Sequence, residues 1–167
     1  PVAGSPASQA FAAAIAAASS GTASTWNSTM SSFKRSMAFS CSSLGGKAAP
    51  GRSKALKGAA FDDPSTIITD VEGEKILDFT SLKSSDGKFA SGMYKAGPQI
   101  FDITEPYGVD EFMFFLEGGV TLTSADGSVT TVNAGEGVTI PKEWIGRWET
   151  AGYRKIWVIY SEDGSEL

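Results

Sequence analysis

The groups in this 167-residue chain best able to do chemistry lie close together. Glu111 follows Glu105 and Tyr107 within six positions, and Arg147, Trp144 and Trp148 come in a second short stretch. A carboxylate facing an interior lined by aromatic rings has a raised pKa and can exchange a proton as acid or base, with Tyr107 or Arg147 as helper. The plainer alternative is that Glu111 accepts hydrogen bonds from tyrosine, tryptophan or Arg147 and holds structure. Met93, Trp144 and Trp148 could stack on a small molecule, or simply be wall and core. The chain has no histidine. A nucleophile triad in its usual form is therefore excluded, and no glycine-rich phosphate loop is present. Cys41 is the one cysteine, so no internal disulfide can form, and its place in an apolar stripe reads as a small buried hydrophobe.

Those residues belong to a region of strands and turns. Phe112 to Leu116 is an apolar run of strand length, and Val120 and Leu122 alternate with Thr121 and Thr123. Asp126-Gly127 predicts a two-residue hairpin folding back onto Ser128 to Val132. Ala134 to Gly137 is a second turn, and Val138 to Ile140 a strand ended by Pro141. Upstream, Thr66 to Ile68, Lys75 to Phe79, Lys88 to Tyr94 and Gln99 to Ile103 are further candidates, and Tyr153 to Tyr160 is a closing strand. Many short strands with glycine turns predict an all-β sandwich or barrel.

Glu111, six residues and then Gly118, with Gly135, five residues and then Pro141, resembles the paired motifs of the cupins. The ending Trp144, Gly146, Trp148 is similar to that of the single-domain group related to the ureidoglycine aminohydrolase cupin domain. The resemblance runs from about Gly87 to Tyr160 and implies a cupin-type jelly-roll β-barrel. In metal-binding cupins two histidines and a glutamate come from the first motif and one histidine from the second. Here the first pair falls on Glu105 and Tyr107, or on Thr104 and Pro106, and the last on Gly146; only Glu111 is kept. One carboxylate is a poor transition-metal site. The expectation is no metal and no cofactor, and the aminohydrolase activity that depends on the metal does not carry over.

Charge divides the chain. No acidic residue precedes Asp62, and six lysines and arginines give residues 1–61 a charge of +6, while residues 62–167 carry −11. An acidic barrel repels a phosphate backbone, so nucleic acid is not expected as a partner. A basic, acid-free, Ser/Ala-rich segment has the composition of an organellar leader, a plastid first, or of a disordered tail. The chain opens on Pro1 and not on methionine, which would fit either cleavage of a precursor upstream or a start that simply is not seen. Residues 1–61 are expected to form an arm with two helices and a linker, and 62–167 the barrel. Ser5-Pro6 caps an alanine-rich helix ending near Gly21, with Phe11 and Ile15 on one face. From Trp26 the apolar residues Met30, Phe33, Met37, Cys41 and Leu44 recur at intervals of 4, 3, 4, 4 and 3. At 3.6 residues per turn they fall in an arc of roughly 80°. Such a stripe can pack on its own barrel, on a partner protein, or at a membrane interface. The longest apolar run, Ala10 to Ala18, is too short to span a bilayer. The expectation is a non-catalytic structural subunit docked through its arm to a larger protein complex, such as a photosynthetic membrane assembly. The rival expectations are a metal-independent isomerase or hydrolase and a small-molecule sensor, both working around Glu111.

Overall fold

The computed structural model describes residues 56–71 and 73–164. The expected arm helices and their docking residues Phe11, Ile15, Trp26, Met30, Phe33, Met37 and Leu44, with Cys41, lie outside the described residues.

A short 3-10 helix, Ala59–Asp62, leads into nine strands: β1 Ile67–Val71, β2 Glu74–Lys83, β3 Phe89–Ala96, β4 Gln99–Ile103, β5 Asp110–Ser124, β6 Val129–Asn133, β7 Gly137–Ile140, β8 Gly146–Thr150 and β9 Tyr153–Tyr160. All pairings are antiparallel, and the order β1-β2-β3-β9-β5-β8-β4, with β6 and β7 also on β5, curls the sheet into a barrel. The fold is all-β and of the cupin type.

β5 is the strand that both halves share. Its first half pairs with β7 and β9, its second with β6 and β8. Two strands were expected here, Phe112 to Leu116 and Val120 to Leu122; one strand is found because a bulge at Leu116 joins them. Phe115 pairs with Lys155 and Glu117 with Arg154, so Leu116 is the extra residue. An inserted residue exchanges the faces of a strand. Glu111, Met113 and Phe115 therefore point inward before the bulge, and Val120 and Leu122 after it.

The hairpin between β5 and β6 has a three-residue loop, Ala125 to Gly127, not the two-residue one expected. Ser124 N donates to Ser128 O at 2.8 Å and Gly127 N to Ser124 O at 2.9 Å. Gly127 takes φ 84°, the left-handed value that closes such a loop with a bulge. β8 is a strand that the sequence does not predict, because Trp148 is the one apolar side chain in Gly146–Thr150.

One core fills the barrel, with Trp148, Trp157, Phe115, Met113, Ile140 and Ile159 almost wholly buried. Gly92 makes room for it: a Cβ there would collide with the Phe79 carbonyl and the Trp157 indole. The 3-10 helix contacts β2 and buries Ala60.

Candidate functional site

The interior is lined by alternate residues of sheet strands, and polar and charged groups enter it along one cross-strand row. Asp78 on β2 pairs in register with Tyr94 on β3, which pairs with Lys155 on β9, which pairs with Phe115 on β5. Asp78, Lys155 and Glu111 are all buried, the last two at 3% and 0% exposure. A buried charge is tolerated only where another group compensates it.

Lys155 and Glu111 compensate each other. The Lys155 Nζ donates to Glu111 Oε1 at 2.7 Å and reaches the Met113 sulfur at 2.8 Å. Three rings surround the ammonium, with centroids at 5.4 Å for Trp148, 5.6 Å for Tyr94 and 5.8 Å for Tyr153. Their electron-rich faces attract a cation, more so where water is excluded. The other carboxylate oxygen of Glu111 accepts a short hydrogen bond from the Tyr107 hydroxyl.

Tyr107 reaches Glu111 because its loop is sewn to the turn before β8. Tyr107 N donates to Trp144 O at 3.0 Å and Gly108 N to Lys142 O at 2.8 Å. Trp144 stands edge-on to the Tyr107 ring at 6.4 Å, and its own Nε1 donates to Ser124 Oγ at 3.1 Å. Trp148 stacks on Phe101 at 6.0 Å and tilts against Tyr153 at 6.0 Å. Burial, followed by the Glu111 carboxylate, lifts the Tyr107 phenol well above the ordinary value of 10. Burial is also the first cause for Tyr94, ahead of Asp78 and Glu111, and for Tyr153, ahead of Tyr94. Each of these phenols holds its proton through the neutral range.

Of the residues expected at a barrel site, Glu111, Tyr107 and Trp148 come together inside, and Trp144 packs on Tyr107 at the mouth. Three lie apart. Glu105 is exposed. Arg147 points outward, where its Nη1 is 3.2 Å from Asp102 Oδ1 and its Nε 3.6 Å from Glu149 Oε2. Met93 is buried but out of phase with Gly92 and Tyr94, so it lies on the outer face, in register with Phe79 and Ile156. Lys155, Asp78, Tyr94 and Tyr153 were not anticipated. Period-two spacing puts Lys155 on one face with Tyr153, Trp157 and Ile159, but it puts Arg154 with the equally apolar Ile156 and Val158, so the alternation alone does not pick the inner face.

A transition metal does not fit this arrangement. The carboxylate the motif supplies is already held by an ammonium and a phenol, and a thioether and rings complete its surroundings. Gly146 has no room even for a Cβ, which would strike the Thr123 carbonyl. Among the described residues no group of three or more carboxylate, thiol or imidazole side chains could hold an ion. A wide, shallow cleft lies outside the core, between Asp102, Thr104, Ser124, Ile145 and Arg147.

Fold and motifs together define a cupin-type domain, and residues 83–156 match the EutQ-like cupin domain family. Among solved structures the chain is similar to the EutQ protein of Clostridium difficile, at 20% identity over 62% of this chain and 75% of that chain, with a TM-score of 0.46. A putative ethanolamine utilization protein of Salmonella typhimurium is 19% identical over 57% of this chain and 94% of that one, with a TM-score of 0.45. The cupin domain of Schizosaccharomyces pombe Cnp3 is 12% identical over 59% and 71%, with a TM-score of 0.46. No curated protein matches the chain. Likenesses this distant concern the fold and carry no activity over. Among the described residues no helix is long and apolar enough to cross a membrane.

Proposed function

We propose that this chain is a non-catalytic, cupin-fold structural subunit that docks through residues 1–61 onto a larger protein assembly. The single observation that carries the reading is the closed Lys155–Glu111 pair, 2.7 Å apart and buried among Trp148, Tyr94 and Tyr153. A carboxylate that must act on a substrate needs free lone pairs and access. Here one oxygen is taken by Lys155 and the other by Tyr107. The same closure counts against a sensor, whose ligand would need the space that the rings fill. The hydrolytic chemistry of the aminohydrolase group that the motifs resemble depends on a metal, and these residues do not suit one.

The arm supplies the attachment in this reading. Its Ser/Ala-rich, acid-free composition fits an organellar leader, and a plastid membrane complex of the photosynthetic kind is the setting we propose. Peripheral contact with the membrane is compatible with a stripe that contains tryptophan and is flanked by basic residues. Burying Trp26, Met30, Phe33 and Met37 would contribute about 1.5–3 kcal/mol each before ordering costs.

The test is mild isolation of the full chain from its source, followed by density sedimentation. The wild type is expected to travel with a multi-protein assembly, whereas Trp26→Ala with Phe33→Ala is expected to be released with the melting temperature of the barrel unchanged. If the double variant stays in the assembly while its barrel melts earlier, the stripe packs on its own domain and the docking reading fails.

A further inference from the structure

We propose that the centre of the barrel is a binding site for a primary alkylammonium ion, and that the ligand which fills it is the protein's own Lys155. The site has three parts, each supplied by a different stretch of chain. β5 brings an acceptor pair, with Glu111 Oε1 at 2.7 Å and the Met113 sulfur at 2.8 Å from the ammonium. β3, β8 and β9 bring the rings of Tyr94, Trp148 and Tyr153, all with centroids between 5.4 and 5.8 Å away. Tyr107, from the loop before β5, holds the second oxygen of Glu111 and so fixes which oxygen faces the cation.

This set of groups selects an ammonium by its chemistry. Three N–H donors match one carboxylate oxygen, one sulfur and a ring face, and the positive charge sits against π-clouds that no neutral alcohol would exploit. A divalent ion would keep only one charged oxygen and would lack the further nitrogen or oxygen ligands it requires. Because Lys155 is tethered to β9, its effective concentration at the cage exceeds that of any free cation. The cage is thus an occupied site, closed to external cations for as long as the tether is intact. The inference concerns the barrel alone, so it stands or falls apart from the docking of the arm.

Cutting the tether tests it. Lys155→Ala removes three methylenes and the ammonium, the size of n-propylammonium, and an engineered core cavity of this kind can admit a small ligand. In the full chain, thermal unfolding of Lys155→Ala is expected to fall by roughly 10–20 °C from the wild type. n-Propylammonium chloride is expected to raise the midpoint by several degrees in a saturable manner, while 1-propanol and sodium chloride at the same concentrations do not. Adding Glu111→Gln to Lys155→Ala is expected to abolish that rise. Equal rescue by 1-propanol would reduce the cage to a cavity without charge selectivity and overturn the proposal, as would rescue by manganese or zinc chloride in place of the amine, or no rescue at all. Should Lys155→Ala fail to fold in buffer, refolding is carried out with each additive. Cooperative folding recovered by n-propylammonium alone supports the cage, and its absence in every additive refutes it.

Discussion

Lys155 Nζ lies 2.7 Å from Glu111 Oε1 at the centre of the barrel, with less than a twentieth of either side chain exposed. Removing one member of such a pair strands the other charge in a medium that cannot solvate it, at about 3–5 kcal/mol. Glu111→Gln is expected to destabilise the chain by that amount in urea titrations. Glu111→Gln with Lys155→Met removes both charges and is expected to lie closer to the wild type than Glu111→Gln alone. Additive losses in the double variant would mean that the two residues do not act as a pair.

Two of the three tyrosines near the pair are expected to respond differently. The Tyr107 hydroxyl donates to the Glu111 carboxylate, so Tyr107→Phe removes a bond to a charged group worth about 1.5–3 kcal/mol. Among the described residues the buried Tyr153 hydroxyl has no hydrogen-bond partner, so Tyr153→Phe is expected to be neutral or slightly stabilising. Chemical unfolding of both variants checks the contrast, which fails if Tyr153→Phe is the more damaging.

Alkali should undo the interior from the phenols. Tyr94, Tyr107 and Tyr153 are raised well above 10, the value an unfolded tyrosine keeps. Above that pH the unfolded chain has released protons that the native barrel still holds, so native binds more and stability falls as pH rises. The contribution is present in full below pH 10. Urea midpoints between about pH 9 and about pH 12 are expected to fall steeply, and less steeply in Tyr153→Phe. Equal slopes would place Tyr153 outside the linked set.

How much of this was legible in the sequence depends on the strand. Gln99–Ile103 and Tyr153–Tyr160 fall where the apolar runs and turns put them. β5 reads as two runs because the bulge at Leu116 reverses the alternation, and a bulge leaves no mark in hydropathy. Glu111 and Tyr107 were legible through motif spacing. Lys155 was not, because β9 is apolar on both faces: Ile156 and Val158 alternate with Trp157 and Ile159. Period two therefore fails to tell whether Arg154 or Lys155 faces inward. Arg154 is the outward one, 2.6 Å from Glu117 across the bulge. Met93 was misplaced for the same reason, since a strand with apolar residues on both faces does not declare its inner one.

The close packing of β2, β3 and β9 leaves no room for a side chain at Gly92. In Gly92→Ala the new methyl meets a backbone carbonyl and an indole, neither of which is a flexible chain end. Overpacking of this kind costs about 1–3 kcal/mol or more, and a melting temperature lower than that of the wild type is expected. An unchanged melt would mean that β2 and β3 can part at that point.

The 3-10 helix belongs with the barrel energetically. Ala60 is 7% exposed, and its helix contacts β2. A fragment starting at residue 56 is expected to be more stable by about 1–3 kcal/mol than one starting at residue 63, measured by urea unfolding. Identical midpoints would mean that residues 56–62 add nothing to the stability of the barrel.

The account turns on whether the protein's own ammonium, and not a metal, is held at Glu111, and metal analysis of the purified full chain reads that directly. The expected content of manganese, iron, nickel and zinc together is far below one equivalent, before and after incubation with each ion and desalting. Close to one equivalent retained by the wild type and lost in Glu111→Gln would contradict it, and would return the barrel to metal chemistry.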